Sequence, residues 1–352
     1  MAHDTEKQTI TRIIDGFATD SPPGFPTMKV FRGLPNAESR APCALTIGNF
    51  DGVHRGHQAL LAALRDAADR LGLETAVMTF EPHPREFFAQ RAGDLSRAPV
   101  RIASLRDKLQ SLANAGVERV IVEHFNAHFA ALTPEEFVGK VLVDGLHVKW
   151  LIVGEDFCYG ARRAGTMVTL MEAGRRHGFE VVSLPTVNNL GSRISSSAIR
   201  AALAAADFDH ARQLLGHSYT MSGHVIHGQK LGRTLGFPTL NLRVAHRRPA
   251  LSGIFVAQVH GLAAHPLPAV ASLGVRPTVD DSGRVLLETH LFDFNQQCYG
   301  KLIRVEFLAK LRDEEKYDGL DELTAAIEND EQQARAWFRQ RNSGAVSATD
   351  RI

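Results

Sequence analysis

Cysteine is scarce in this chain: Cys43, Cys158 and Cys298 lie far apart among 352 residues and share no metal-ligand spacing. That excludes a disulfide framework and a structural zinc, and it fits a reducing cytoplasm. Long apolar runs are missing as well. None approaches the ~20 residues that span a bilayer, so no membrane partner is expected. Residues 1–27 are mostly polar, with Asp, Glu and a Pro-Pro pair, and lack the apolar core of a signal peptide. They read as a flexible leader, and Met28 is a second candidate for the start. Charge of one sign is also absent. The net charge of +1 gives no broad cationic surface for nucleic acid. No internal repeat and no low-complexity segment occurs, and nothing in the chain speaks to oligomeric state.

What remains is an ordinary soluble composition, 44% hydrophobic and 22% charged, in a chain long enough for two domains. One stretch organises the first. The apolar run 45–50 ends in Gly48, Asn49, Phe50, Asp51, Gly52, Val53, His54, Arg55, Gly56 and His57, and a leucine-rich helical pattern follows to Leu71. Such a strand–turn–helix junction collects backbone N–H groups and the positive end of a helix dipole at one point, where a phosphate can sit. Further strands are expected at 74–80, 117–123, 149–153 and 179–184, and helices at 102–115, 133–145 and 166–177. Alternation of this kind predicts a doubly wound α/β domain built on a parallel sheet.

The pattern changes after an alanine-rich helical region, with a boundary near residues 216–218. Six short strands at 220–226, 239–244, 253–259, 269–273, 286–294 and 302–308 have no helix between them. They predict a small antiparallel β-barrel. A closing helix at about 320–339 and a disordered tail from 342 complete the chain. The expected organisation is thus a leader at 1–27, an α/β domain at 28–216, a barrel domain at 217–341 and a tail at 342–352.

Ligands of open parallel sheets bind beyond the carboxyl ends of the strands. There the chain offers Gly48, Asn49, Asp51, His54 and His57, an exposed His83 between two prolines, Asp156 in a polar turn, and Arg193, Ser196, Ser197 and Arg200 around a helix start. Histidines at a helix N-terminus can hydrogen-bond phosphoryl oxygens as charge builds there. Serines at such a start also serve as simple caps. In the barrel half, Gly228, Gly232, Arg233 and Gly236 form a glycine- and cation-bearing loop that is not a Walker A sequence. Strand alternation puts Thr239 and Asn241 on one face, a pair of oxygens suited to Mg²⁺ carrying nucleotide phosphates or to an ordinary hairpin edge. Glu288 sits among aromatic neighbours, either paired structurally or poised as a base.

The strand leading into G-N-F-D-G-V-H-R-G-H-Q, then T-F-E-P-H-P, V-G-E-D-F-C-Y-G and R-I-S-S-S-A-I-R, resembles the N-terminal half of the bacterial bifunctional riboflavin kinase/FAD synthetase family. His54 to His57 resembles the H-x-G-H element of the wider nucleotidylyltransferase superfamily. Residues 193–200 resemble its I-S-S-T-x-I-R element, with Ser197 in place of threonine, and Thr166 stands where an acidic residue is usual. G-F-P-T-L-N, S-L-G-V-R-P-T and L-E-T-H-L-F-D-F resemble the riboflavin kinase module, with Leu240 where alanine is usual. The match runs from about Met28 to Trp337.

The resemblance implies two activities: phosphorylation of riboflavin to FMN by Mg·ATP, and adenylylation of FMN to FAD with release of pyrophosphate. It implies Glu288 as the base for the flavin 5′-hydroxyl and Thr239 and Asn241 at Mg²⁺. It further implies His54 and His57 at the α-phosphoryl group, Ser196, Ser197 and Arg200 at the triphosphate, and Asn49 and Asp51 shaping the pocket. Two other readings compete: a nucleotidylyltransferase with another acceptor, and a non-catalytic flavin-binding regulator.

Overall fold

The computed structural model describes residues 27–185, 188–189, 192–228, 232, 235–244, 248–275 and 285–349. The expected leader to residue 26 and Arg233 lie outside the described residues. By internal contacts the chain divides into two compact units, Met1–Pro99 with Leu105–Ser196, and Val100–Ser104 with Ser197–Ile352. This differs from a boundary at 216–218, and hydrogen bonds give the reason. The Arg101 N–H donates to the Arg248 carbonyl at 3.2 Å, and Arg200 Nε donates to the Val100 carbonyl at 2.6 Å. The short segment and the serine-rich helix beyond Ser196 are thereby held together in the second unit. The expected helix at 102–115 begins later for the same reason, at Leu105.

The first unit is built on a 6-stranded parallel sheet. Its strands are β1 (Lys29–Arg32), β2 (Cys43–Ile47), β3 (Glu74–Glu81), β4 (Arg119–His124), β5 (Val148–Gly154) and β6 (Glu180–Leu184), in the order β1-β4-β3-β2-β5-β6. Its helices include α1 (Arg55–Leu71), α2 (Pro84–Arg91), α3 (Leu105–Asn114) and α4 (Met167–His177). Alternate residues of β2 serve two cores. Ala44 joins Leu61 and Leu64 of α1 and Leu109 of α3, whereas Cys43, Leu45 and Ile47 join Val138, Leu142 and Leu170 on the other face. A strand buried on both faces reads as a continuous apolar run, which is why it stands out in the sequence. The strand order reverses between β2 and β5, so the turn after β2 opens at the switch point, where such sheets bind ligands.

Two elements were not legible. β1 has only 4 residues with an exposed-to-intermediate pattern, and α2 follows the proline-flanked His83 that was expected to be a loop. The stretch 133–145 was expected to be one regular helix. It makes one α-turn, Pro134–Glu136, then passes into a π-helix, Phe137–Val143. The wider winding keeps Phe137, Val138, Val141 and Leu142 all buried.

The second unit opens with α5 (Ser196–Ala204, its first residue counted with the first unit) and α6 (Phe208–Leu215). A closed antiparallel barrel follows: β7 (Thr220–Ile226), β8 (Thr239–Arg243), β9 (Gly253–His260), β10 (Leu267–Val275), β11 (Val285–Leu291) and β12 (Leu302–Arg312), in the order β8-β11-β10-β9-β12-β7. All six expected strands are present. Their alternation is regular: Val285, Leu287, Thr289 and Leu291 are buried, while Leu286, Glu288 and His290 face outward and are half-buried. Helix α7 (Leu320–Thr349) runs past Arg339 through much of the stretch expected to be disordered, which contains no proline to stop it. Its Ala334 packs with Val256 and Phe292 on the outside of the barrel.

Candidate active sites

In the first unit the backbone itself is unusual at the turn between β2 and α1. Phe50 and Val53 take positive φ angles of 48° and 38° around Gly52 at 85°. A β-branched residue in that region is strained by roughly 1–3 kcal/mol, a cost that persists only where the surroundings fix the conformation. The fixing contacts are visible. Gln58 Nε2 donates to the Val53 carbonyl at 2.9 Å, Thr79 Oγ1 to the Asn49 carbonyl at 3.2 Å, and Ser196 Oγ to the Asp51 carbonyl at 3.3 Å.

The turn delivers His54 to the N-cap of α1, where its Nδ1 accepts the backbone N–H of His57 at 3.3 Å. With Nδ1 used as an acceptor, the proton of the neutral ring belongs on Nε2. The two imidazoles stack, with centroids 3.7 Å apart and planes 15° apart. Gly56 makes room for them, since a Cβ there would crowd the His54 ring at 3.2 Å. Burial, with the charges of His54 and Lys108 adding to it, holds the His57 pKa well below its ordinary value.

A cavity of about 710 Å³ opens at this point, lined by Gly48, Asn49, His54 and His57 from the turn and by Asp156, Arg193, Ser195 and Ser196 from distant parts of the chain. Asp156 and Arg193 are joined at the rim by an exposed ion pair of 3.0 Å. Asp51 is buried and contributes its carbonyl from behind. His83 corrects an expectation. It is 5% exposed rather than presented to solvent, and its Nδ1 accepts the Arg85 N–H in a capping box with Glu86. Ser197 and Arg200 belong with the second unit. Thr166, the departure from the acidic pattern, caps α4. Sequence reading missed the aromatic wall of the cavity: Phe80, Phe125, Phe129, Phe157 and Tyr159 come from three separate segments. Only scattered phenylalanines marked it in the chain.

In the barrel, register decides the site. Asn241 lies opposite Glu288 and Thr239 opposite His290, and Glu288 lies opposite Ser272 on its other side. Directly opposed residues share a face, so Thr239, Asn241 and Glu288 project together. Leu240 pairs with the inward Thr289 and points away. Asn241 is 4% exposed; its Nδ2 donates to the Thr239 carbonyl at 3.3 Å, and its buried Oδ1 finds no hydrogen-bond donor among the described residues. Gly228 is packed so closely that a Cβ would meet the Asn241 amide at 2.5 Å. Gly232 is similarly close to the Phe237 carbonyl, and Gly236 has a φ of 91° that favours glycine. A further carboxylate, Glu314, covers the backbone of Gly274. Burial and the nearby Glu288 push its pKa up. It arrives from beyond β12, and no local motif announced it.

Comparison with known proteins follows the same division. The FAD synthetase family model matches residues 36–198, and the riboflavin kinase model matches residues 215–338. The bifunctional riboflavin kinase/FMN adenylyltransferase of Escherichia coli (strain K12) is 46% identical over 88% of this chain and 98% of its own length. Those of Haemophilus influenzae and Pseudomonas fluorescens are 44% and 45% identical over 88% of this chain, and 99% and 97% of theirs. The chain belongs to the bifunctional riboflavin kinase/FMN adenylyltransferase family. It is an enzyme that phosphorylates riboflavin to FMN with ATP and adenylylates FMN to FAD with release of pyrophosphate. The riboflavin kinase match covers the barrel, and the FAD synthetase match covers most of the α/β unit. A solved structure from Streptococcus pneumoniae, described as a macrolide-efflux protein, is 28% identical with a TM-score of 0.68, covering 88% of this chain and 99% of that one. In the present chain no helix among the described residues is long and apolar enough to cross a membrane.

Proposed function

We propose that the two activities use two separate sets of side chains, in functional domains at 28–216 and 217–341 of a cytoplasmic enzyme that takes ATP as its magnesium complex. In adenylyl transfer the FMN phosphate attacks the α-phosphorus of ATP and pyrophosphate leaves. His54 directs its Nε2–H at the α-phosphoryl oxygens as negative charge builds, and the neutral His57 supports the ring by stacking and adds a second donor. Loss of one such donor typically costs ~10²–10³ in rate. Gly48, Asn49 and Asp51 shape the pocket, and Ser196 binds the triphosphate. Asp156 and Arg193 meet the substrates at the rim. Ser197 and Arg200 are assigned to the triphosphate, and His83 to the nucleotide side, on their sequence motifs alone. The aromatic wall suits a planar isoalloxazine ring.

In the kinase step Glu288 takes the proton of the riboflavin 5′-hydroxyl as that oxygen attacks the γ-phosphorus, and ADP leaves. Thr239 and Asn241 hold Mg²⁺, and Gly228, Gly232, Arg233 and Gly236 wrap the nucleotide. The observation that supports the metal assignment is the buried Asn241 Oδ1 beside Thr239, which has no hydrogen-bond partner among the described residues, since a hard cation prefers such oxygens. Bound Mg²⁺ neutralises phosphate charge during transfer.

The test supplies riboflavin, ATP and Mg²⁺ to the pure protein and resolves the flavins by chromatography. His57→Ala should abolish FAD while FMN accumulates; equal loss of both products contradicts the assignment. Glu288→Gln should stop FMN formation yet adenylylate supplied FMN. Normal phosphorylation by that variant means that another group is the base. Chelation should stop FMN formation, and Mg²⁺ should restore it.

A further inference from the structure

Lys108 on α3 is fully buried, which is rare for a side chain that normally carries its charge to solvent. A buried ammonium is tolerated where its donors and charge are used. Its Nζ donates to Thr79 Oγ1 at 3.2 Å. Thr79, itself wholly buried near the end of β3, passes the direction on, since its hydroxyl donates to the Asn49 carbonyl at 3.2 Å. One hydroxyl can accept from an ammonium and donate to a carbonyl at once, so the relay is consistent in every proton. Asn49 is the residue immediately before Phe50, where the backbone enters its left-handed turn. The relay thus runs from α3 through the centre of the sheet to the base of the turn that carries His54 and His57.

We propose that Lys108 is a positioning residue for adenylyl transfer: acting through Thr79, it fixes the Asn49 carbonyl and so the strained turn that presents the two histidines. Its charge also reaches His57, where it acts with burial to favour the neutral ring. The arrangement explains why an ammonium is kept where a leucine would pack more cheaply. Thr79 has no other role in the mechanism, and its sequence context, an apolar strand, gives no sign of one. The inference rests on the assignment of adenylyl transfer to His54 and His57.

The test uses the full chain, whose riboflavin kinase activity serves as an internal control. Lys108→Met should lower kcat for FAD formation from supplied FMN by about 100-fold, the scale of a lost preorganised contact. The KM values for FMN and ATP should move less than about threefold, because substrate-binding groups stay in place. Riboflavin phosphorylation should be unchanged. Lys108→Arg should recover part of kcat. Thr79→Val, which removes only the hydroxyl, should lose about tenfold, and the double variant should be no slower than Lys108→Met, as expected for residues acting in series. Normal kcat in Lys108→Met overturns the proposal, and so do losses that simply multiply. If Lys108→Met fails to fold, Thr79→Val decides: unchanged kcat in that variant overturns the relay. His57→Ala measured alongside separates the two levels. Retained FAD formation there defeats the site assignment, whereas its loss with a normal Lys108→Met defeats this inference alone.

Discussion

His54 and His57 are joined twice: the His57 backbone N–H donates to His54 Nδ1 at 3.3 Å, and the rings stack with centroids 3.7 Å apart. The first of these contacts is a helix cap, so His54 has a structural duty as well as the chemical one assigned to it. The two can be separated by choice of substituent.

His54→Ala removes both. It should lower the stability of the α/β unit by about 1 kcal/mol, as loss of an N-cap does, and FAD formation by ~10²–10³. His54→Asn restores a capping oxygen and should recover the stability without the rate. Thermal unfolding and chromatographic assay of FAD from supplied FMN measure the two effects independently. FMN formation should be unaffected in both variants.

His57 should make stability depend on pH. Its pKa is held well below the ordinary value, mainly by burial, so the unfolded chain takes up a proton at a pH where the folded one does not. The sign follows: this group's effect is neutral above about pH 6.5, and stability falls as pH drops below that, by up to about 1.4 kcal/mol per pH unit until the folded pKa is reached. His57→Gln should lack this limb. Denaturant midpoints of the two proteins between pH 7 and pH 5 should diverge; parallel curves would show that His57 titrates normally.

These predictions rest on a turn that the sequence announced clearly. A wholly buried strand, a glycine-rich turn and an amphipathic helix stand adjacent in the chain, so Gly48 to His57 could be read as one unit, and strand alternation alone placed Thr239 and Asn241 on a common face. Legibility ended where distant segments converge. The cavity's aromatic wall is drawn from three segments, Glu314 reaches Gly274 from beyond β12, and Lys108 looks like any polar position of a helix until its burial is known. His83 failed for a different reason. A histidine between prolines suggests exposure, but the second proline is at N1 of α2, and the ring turns inward to cap it.

Gly228 should tolerate no side chain. A Cβ would meet the Asn241 side-chain amide at 2.5 Å, and displacing that buried amide would break its hydrogen bond to the Thr239 carbonyl. Gly228→Ala is expected to reduce FMN formation at least tenfold, with a raised Mg²⁺ requirement, while adenylylation of supplied FMN continues. Steady-state kinetics of the two reactions over a range of Mg²⁺ concentrations would reveal it. Normal kinase kinetics would mean that Asn241 does not hold the metal in this geometry.

Two bidentate arginine pairs attach α7 to the barrel unit, and burial should rank them. Arg312 donates to Asp330 at 2.9 and 2.7 Å, with the Asp330 side chain 3% exposed. Arg335 donates to Asp293 at 3.0 and 3.1 Å, with Asp293 79% exposed. Asp330→Ala leaves a largely buried guanidinium unpaired and should cost about 3 kcal/mol. Asp293→Ala should cost far less, since solvent screens that pair. Chemical denaturation followed by loss of kinase activity would order them, and equal costs would refute the burial argument.

The ring of β7 to β12 closes on itself, and that closure bears on how the protein keeps company with its own copies. An open sheet leaves a row of unpaired N–H and C=O groups at each margin, a template on which another chain can add a strand. Among the described residues the kinase unit has no such margin along its barrel. The parallel sheet of the α/β unit has two, at β1 and β6, and β1 limits the hazard by being only 4 residues long with Lys29 and Arg32 at its ends. Strand-mediated aggregation, if the protein is stressed, should therefore begin in the adenylylating half and leave the phosphorylating half soluble for longer.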